Sequence, residues 1–464
     1  MSNSEADSKI ISTTNPANGK KIKDYKLMSD GEVNQAIEAC HEAFLSWKFV
    51  SHKERAEKIR SIGNALQENK EDLVKIIVQE MGKLKRQAES EIDLCSALCE
   101  YTAKNGPSQL ADEERELPEG GRGLVTYSPI GVVYGIQPWN FPVYQVIRYT
   151  IASLMAGNGV LLKHASSVTG SGLKLQEIIK KSGLPQNLFT VLVIDHDQSD
   201  DVIGNDLVRG VTLTGSPDAG KHIGKLAGNK LKKAVLELGS NDAYIVLEDA
   251  DLEVAIKHCV RGRVFNNGET CVAAKRFIVV DKLYDKFKEG FVTKMASLKY
   301  GDPNNSDNKL GPIAREDLRK ELHEQVEKSV ENGAEILCGG EIPEGDGFYY
   351  PATVLGNVKP GQPAYDDELF GPVASLIYAK DDEDAMRIAN DSRFGLGGGI
   401  FSKDEDKAFQ LAKEHFDTGM IFINSFGLAQ PNMPFGGVKN SGYGREHGGF
   451  GVKEFVNVKA IMRL

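Results

Sequence analysis

The stretch VFNNGETCVAAKRFIVV sets Cys271 behind Asn-Asn-Gly and ahead of a Lys-Arg pair and an apolar run. A cysteine placed where the chain turns, just before a strand, can present a thiol to a substrate, and the thiolate is the nucleophilic form. Inert packing is the alternative. Glu237, in AVLELGSND, is a carboxylate inside an apolar strand. Burial raises such a group's pKa and suits it to act as a base, although an isolated Glu of this kind more often pairs with a buried Lys or Arg. Asn140 stands between Trp139 and Phe141 and is bracketed by Pro138 and Pro142. The prolines fix the backbone, so the amide can donate to an oxyanion or cap the next helix. Arg148 follows eight residues later, on the same helical face as Tyr144. It suits a substrate carboxylate or an acidic partner.

Two further segments suit phosphate and ribose. GSPDAGKH, residues 215–222, matches a P-loop through Lys221, but His222 occupies the position of the Mg²⁺-binding Ser/Thr. Gly215 and Ser216 still lie between a strand and a helix, where backbone amides receive a diphosphate without metal. Lys163 ends the strand GVLLKH, and ligands of open α/β sheets bind beyond the carboxyl ends of strands. Ser166 follows where an acid would repel a 2′-phosphate, so room is left for NADP, with NAD possible.

The elements that must hold these residues read as α/β. After a short arm, amphipathic helices open the chain: SDGEVNQAIEACHEAFLSW, SHKERAEKIRSIGNALQENKEDLVKIIVQEMGK and RQAESEIDLCSALCEYTAKNG. From about residue 120, apolar strands alternate with helices, the pattern of a parallel sheet covered on both faces. A second α/β series follows Cys271, and the C-terminus reads as a short helix and a strand.

At 464 residues the chain is long enough for two or three domains. A net charge of −10 without a basic run argues against nucleic acid as a partner. No apolar stretch suits a membrane span, and the polar N-terminus does not read as a signal peptide. Six scattered cysteines fit a reducing cytoplasm better than a disulfide framework. Cys95 and Cys99 share a helical face and read as core.

Seven phrases, PWNFP, LLKHAS, TGSPDAG, ELG, NNGETCVAAKR, ELFGPV and PFGGVKNSGYGRE, resemble the aldehyde dehydrogenase superfamily in content and order over nearly the whole chain. KHAS and CVAAKR are most similar to the smaller bacterial and archaeal enzymes of the succinate-semialdehyde dehydrogenase type. The resemblance implies a Rossmann-like cofactor domain (1–112 and 127–239), a catalytic domain (240–435), and an oligomerisation flap and tail (113–126 and 436–464). A homodimer or homotetramer is implied. It implies Cys271 as nucleophile, Glu237 as base and Asn140 as oxyanion donor. Lys163 and Ser166 are implied at the adenosine ribose, and Gly215 and Ser216 at the diphosphate. Glu368 is implied at the nicotinamide ribose, Phe370 and Trp139 beside the nicotinamide, and Arg148 at a substrate carboxylate.

The implied reaction oxidises succinate semialdehyde or a related small semialdehyde to the acid with NADP or NAD. Lactaldehyde, glyceraldehyde or an aromatic aldehyde are alternatives. Transfer to CoA is a further alternative, which a glutamate base argues against. Ser240 and Glu269 replace the commoner glycine and glutamine of the family. Phe265 replaces a second substrate arginine, and SFGLAQPNM lacks paired serines.

Overall fold

The computed structural model describes residues 9–118 and 120–464. The N-terminal 1–8, and Glu119 within the expected flap, lie outside the described residues. Reciprocal side-chain and backbone hydrogen bonds start the first two helices: Ser29 with Glu32 for Asp30–Trp47, and Ser51 with Glu54 for His52–Glu68. The long second helix of the sequence reading is two helices, because Asn69 interrupts it and its side chain donates back to the Ala65 carbonyl. Lys70–Met81 then ends at Gly82, whose φ of 78° suits glycine. Cys95 and Cys99 on Lys85–Gln109 are fully buried in the core. The expected arm is a hairpin, Ile10–Asn15 paired with Lys20–Lys26.

The first large sheet runs in the order Gly442–Tyr443, Lys233–Glu237, Val208–Thr214, Val132–Gln137, Gly159–His164, Phe189–Val191. All neighbours are parallel except the first pair. Chain order reverses at Val132–Gln137, so the loops on either side of it diverge and leave a crevice beyond the carboxyl ends. Those ends carry Gln137, Lys163, Thr214 and Glu237 to one edge of the sheet.

A second sheet of seven strands centres on Arg276–Val280 and Ala243–Val246 and is parallel except at Glu335–Cys338. Its two faces are covered by separate apolar clusters. The third sheet is antiparallel: Val456–Arg463, Arg122–Pro129 and Glu113–Glu116. Among the described residues, no helix is long and apolar enough to cross a membrane, and no His/Cys/Asp/Glu cluster could hold a metal ion.

One buried ion pair ties the helical layer to the first sheet. Lys83 and Glu91 pair with no solvent exposure on either side chain. Glu91 also accepts the Val143 and Tyr144 amides at 2.8 and 3.0 Å, at the start of the Tyr144–Ala156 helix. The Lys83 ammonium lies 3.8 Å from the centre of the Phe141 ring. A carboxylate without water needs such partners, and a helix N-terminus favours its charge. Glu91→Ala leaves a buried ammonium and two amides unpaired. It is expected to cost about 3–5 kcal/mol, read as an earlier midpoint in urea unfolding; an unchanged midpoint refutes this role.

Candidate active site

The thiol is presented by a turn that few sequences can form. The Leu252–Val264 helix leads into Phe265–Gly268, where Asn266, Asn267 and Gly268 have φ of 53°, 58° and 76°. Asparagine tolerates this left-handed region and glycine enters it freely. Gly268 has a second constraint: a Cβ there would sit 2.3 Å from the Gly371 carbonyl oxygen. Both asparagines are also tethers. Asn267 accepts from the Gly311 amide and donates to the Pro312 carbonyl, and Asn266 donates to the carbonyls of Asn140 and Glu269. Cys271 emerges half-buried, whereas Cys40, Cys95, Cys99 and Cys259 are buried.

Asn140 donates one N–H to the Glu269 carbonyl at 3.1 Å, and a side-chain amide carries a second. It does not cap the following helix. The N-cap position is Val143, and the helix's first amides go to Glu91.

Glu237 ends its strand 2 % exposed, and neither carboxylate oxygen has a hydrogen-bond partner. Burial, and then the nearby Glu446 carboxylate, hold its pKa well above the carboxylate range, against the pull of Arg148 and Arg445. Burial likewise pushes the Cys271 thiol up to about 12. Arg148 and Lys275 favour its thiolate, while Glu368 and Glu237 oppose it.

The expectation that Arg148 receives a substrate carboxylate is corrected. Arg148 is 4 % exposed, pairs with Glu446 and donates to Thr214 Oγ1 at 2.9 Å. Its guanidinium also stacks over Phe435 and Tyr144. With these partners, and outside the lining of the cavity described below, its guanidinium is already committed within the protein. Glu446 was hidden from sequence reading because it belongs to a glycine-rich segment 298 residues away. Glu269, the extra carboxylate expected near the thiol, is fully buried and accepts the Ala314 amide at 2.9 Å.

A cavity of about 760 Å³ is lined by Cys271 and Asn140 together with Trp139, Phe370, Glu368, Gly215 and Ser216. Ser216 caps Pro217–Asn229 by accepting from the Ala219 amide, so the helix N-terminus opens on the cavity. His222 on that helix bonds Asp200. Phe370 meets Trp139 edge-on, with centroids 5.7 Å apart. Glu368 Oε1 lies 3.1 Å from the Lys275 ammonium. Lys163 stands beside Ile136 in the neighbouring strand, and Ser166 is exposed just beyond it; both lie outside this cavity's lining. Burial lowers the Lys163 pKa, with Asp195 opposing.

Lys275 and Ser240 both donate to the Cys271 carbonyl, contacts marked in the sequence only by a cation four residues after the thiol and by a hydroxyl where the family commonly has glycine.

Residues 3–461 match the Aldehyde dehydrogenase family. The chain is 43% identical over 449 residues to the succinate semialdehyde dehydrogenase [NAD(P)+] Sad of Escherichia coli, covering 97% of each chain. It is 39% identical to the succinate-semialdehyde dehydrogenase [NADP(+)] of Deinococcus radiodurans, covering 97% of this chain and 94% of that one. The crystal structure of succinic semialdehyde dehydrogenase from Streptococcus pyogenes with NADP+ superposes with a TM-score of 0.95. The two are 35% identical, over 97% of this chain and 99% of that one.

Exposure and burial together set the reactivity of the thiol. Cys271 is expected to react with iodoacetamide before the buried cysteines. Without added cofactor its rate should climb about tenfold per pH unit from about pH 7 to 10, because thiolate forms only toward a pKa of about 12. A plateau within that range refutes the description.

Proposed function

The chain belongs to the aldehyde dehydrogenase family, and from that premise we propose that it oxidises succinate semialdehyde, or a closely related small semialdehyde, to the acid with NADP, NAD serving as the alternative. The observation that carries the reading is one cavity holding both a half-buried thiol, beside a fixed side-chain amide, and an open helix N-terminus. The substrate rests on relatives named for it, 39–43% identical over nearly the whole chain.

The residues present fit a nicotinamide dinucleotide. The amides at Ser216 suit its diphosphate and the half-buried Glu368 carboxylate a ribose diol. The Trp139–Phe370 pair gives the nicotinamide an apolar wall. Lys163 and Ser166, near the carboxyl end of the Gly159–His164 strand, would take the adenosine ribose, where an ammonium and a hydroxyl suit a 2′-phosphate.

In the proposed reaction Cys271 attacks the aldehyde carbon as thiolate. The second N–H of Asn140 and the Cys271 amide hold the oxyanion, at about 3 kcal/mol per donor. When bound, the nicotinamide accepts the hydride that the adduct expels, which leaves a thioester on Cys271. Glu237 then takes a proton from the water that cleaves the thioester. Its place next to Leu238, which lines the cavity, and its unpartnered oxygens favour hydrolysis over transfer to CoA.

The sheets favour a cofactor domain (1–112 and 127–239), a catalytic domain (240–435) and a flap with tail (113–126 and 436–464), but Gly442–Tyr443 of that tail joins the first sheet and the flap strand Arg122–Pro129 runs past residue 126, so these two bounds do not hold. The Val456–Arg463 strand is an open sheet edge with Val458, Ile461 and Met462 exposed, which suits pairing in a homodimer or homotetramer. The free cysteines suit the cytoplasm.

Steady-state kinetics with a panel of aldehydes, each with NADP and NAD, test the proposal; a clear preference for an aldehyde outside the small semialdehydes overturns it. Glu237→Gln is expected to give one burst of reduced cofactor and then stall. In the wild type, turnover limited by thioester hydrolysis should rise with pH beyond the ordinary carboxylate range, because the base works deprotonated and burial raises its pKa. Normal steady-state turnover in Glu237→Gln removes it as the base. Ser166→Glu should raise the KM for NADP about tenfold and spare NAD; an unchanged preference places cofactor choice elsewhere.

A further inference from the structure

Lys275 sits directly ahead of the Arg276–Val280 strand and is 1 % exposed. A buried ammonium must place three N–H donors and balance its charge within the protein. It donates to the Cys271 carbonyl at 2.6 Å and to Ser240 Oγ at 3.0 Å, and lies 3.1 Å from Glu368 Oε1. Ser240 Oγ in turn donates to the same Cys271 carbonyl at 2.5 Å. The other Glu368 oxygen is pressed against Gly239, where a Cβ would lie 2.5 Å from it. Glu368 is therefore wedged between an ammonium that also grips the thiol loop and the backbone two residues beyond Glu237.

We propose that Lys275 is a positioning residue that holds the Cys271 loop and Glu368 in one frame, and so fixes the spacing between the nucleophile and the acid that takes the nicotinamide ribose. The inference rests on the preceding reading of Glu368. Ser240 completes the frame: with glycine there, the ammonium would lose one acceptor and the Cys271 carbonyl one donor. The arrangement uses the charge of lysine as well as its reach, because only a cation offsets Glu368 while donating to a carbonyl.

Three variants separate this role from simple support of the fold. Lys275→Met should bind 2′,5′-ADP as the wild type does but NADP about tenfold more weakly, since only the nicotinamide half loses its frame. Its Cys271 alkylation rate should shift, and kcat should fall more than the aldehyde KM rises. Lys275→Gln keeps a donor for the Cys271 carbonyl without a charge for Glu368, so NADP affinity should fall while the alkylation rate stays closer to wild type. Gly239→Ala, which displaces Glu368 and leaves Lys275 on the loop, should follow the same pattern. If Lys275→Met does not fold, the other two carry the test.

Wild-type NADP affinity in Lys275→Gln and Gly239→Ala overturns the proposal. Glu368→Gln separates it from the reading beneath it. If that variant also binds NADP normally, the ribose role of Glu368 fails; if it binds weakly and the Lys275 variants do not, only the frame fails.

Discussion

A charge removed from water must be answered by another charge or by oriented amides, and the site of this protein is built from three such answers. Lys83 with Glu91 clamps the start of the helix that follows Asn140. Arg148 with Glu446 sits behind the thiol and Glu237. Lys275 with Glu368 joins the thiol loop to a second part of the cavity lining. Arg148–Glu446 and Lys275–Glu368 join distant segments, and Glu91 reaches one through the Val143 and Tyr144 amides, so desolvation that would be costly for either partner alone becomes a constraint on geometry. Glu237 stands among them with no partner on its carboxylate. The proposed role as a base is compatible with this, since a group that accepts a proton from water needs no competing donors.

The alternation of apolar strands and helices made both parallel sheets legible, because a strand buried on two faces leaves a continuous apolar run. Cys271 was legible for the opposite reason, as a thiol in polar, turn-forming company. The break at Asn69 was harder to see, since helical periodicity runs through it and only a side-chain bond back to Ala65 marks the end. The hairpin near the N-terminus escaped because its second strand is almost wholly exposed and lysine-rich, without apolar alternation.

Long-range pairing was the main loss. The sequence offered two readings of Arg148, substrate anion or acidic partner, and the partner, Glu446, comes from the far end of the chain. Asn140 invited a capping role by position, but Glu91 supplies the amides' acceptor from another helix and leaves Asn140 to the thiol loop. Local propensity cannot reveal such a substitution of roles. The residues whose local setting was most readable are those that need little from afar, a thiol at a turn and a glycine just ahead of a helix N-terminus.

The Asn267-Gly268 turn bears on how the protein ages. Asn-Gly is the dipeptide most prone to spontaneous deamidation, in which the glycine nitrogen attacks the asparagine side-chain carbonyl to form a succinimide. Here that side chain is buried and held at both ends, its oxygen by the Gly311 amide and its nitrogen by the Pro312 carbonyl. Swinging it onto the Gly268 nitrogen requires breaking both bonds, so the chemical clock four residues from Cys271 runs slowly in the folded chain and fast only when the loop opens.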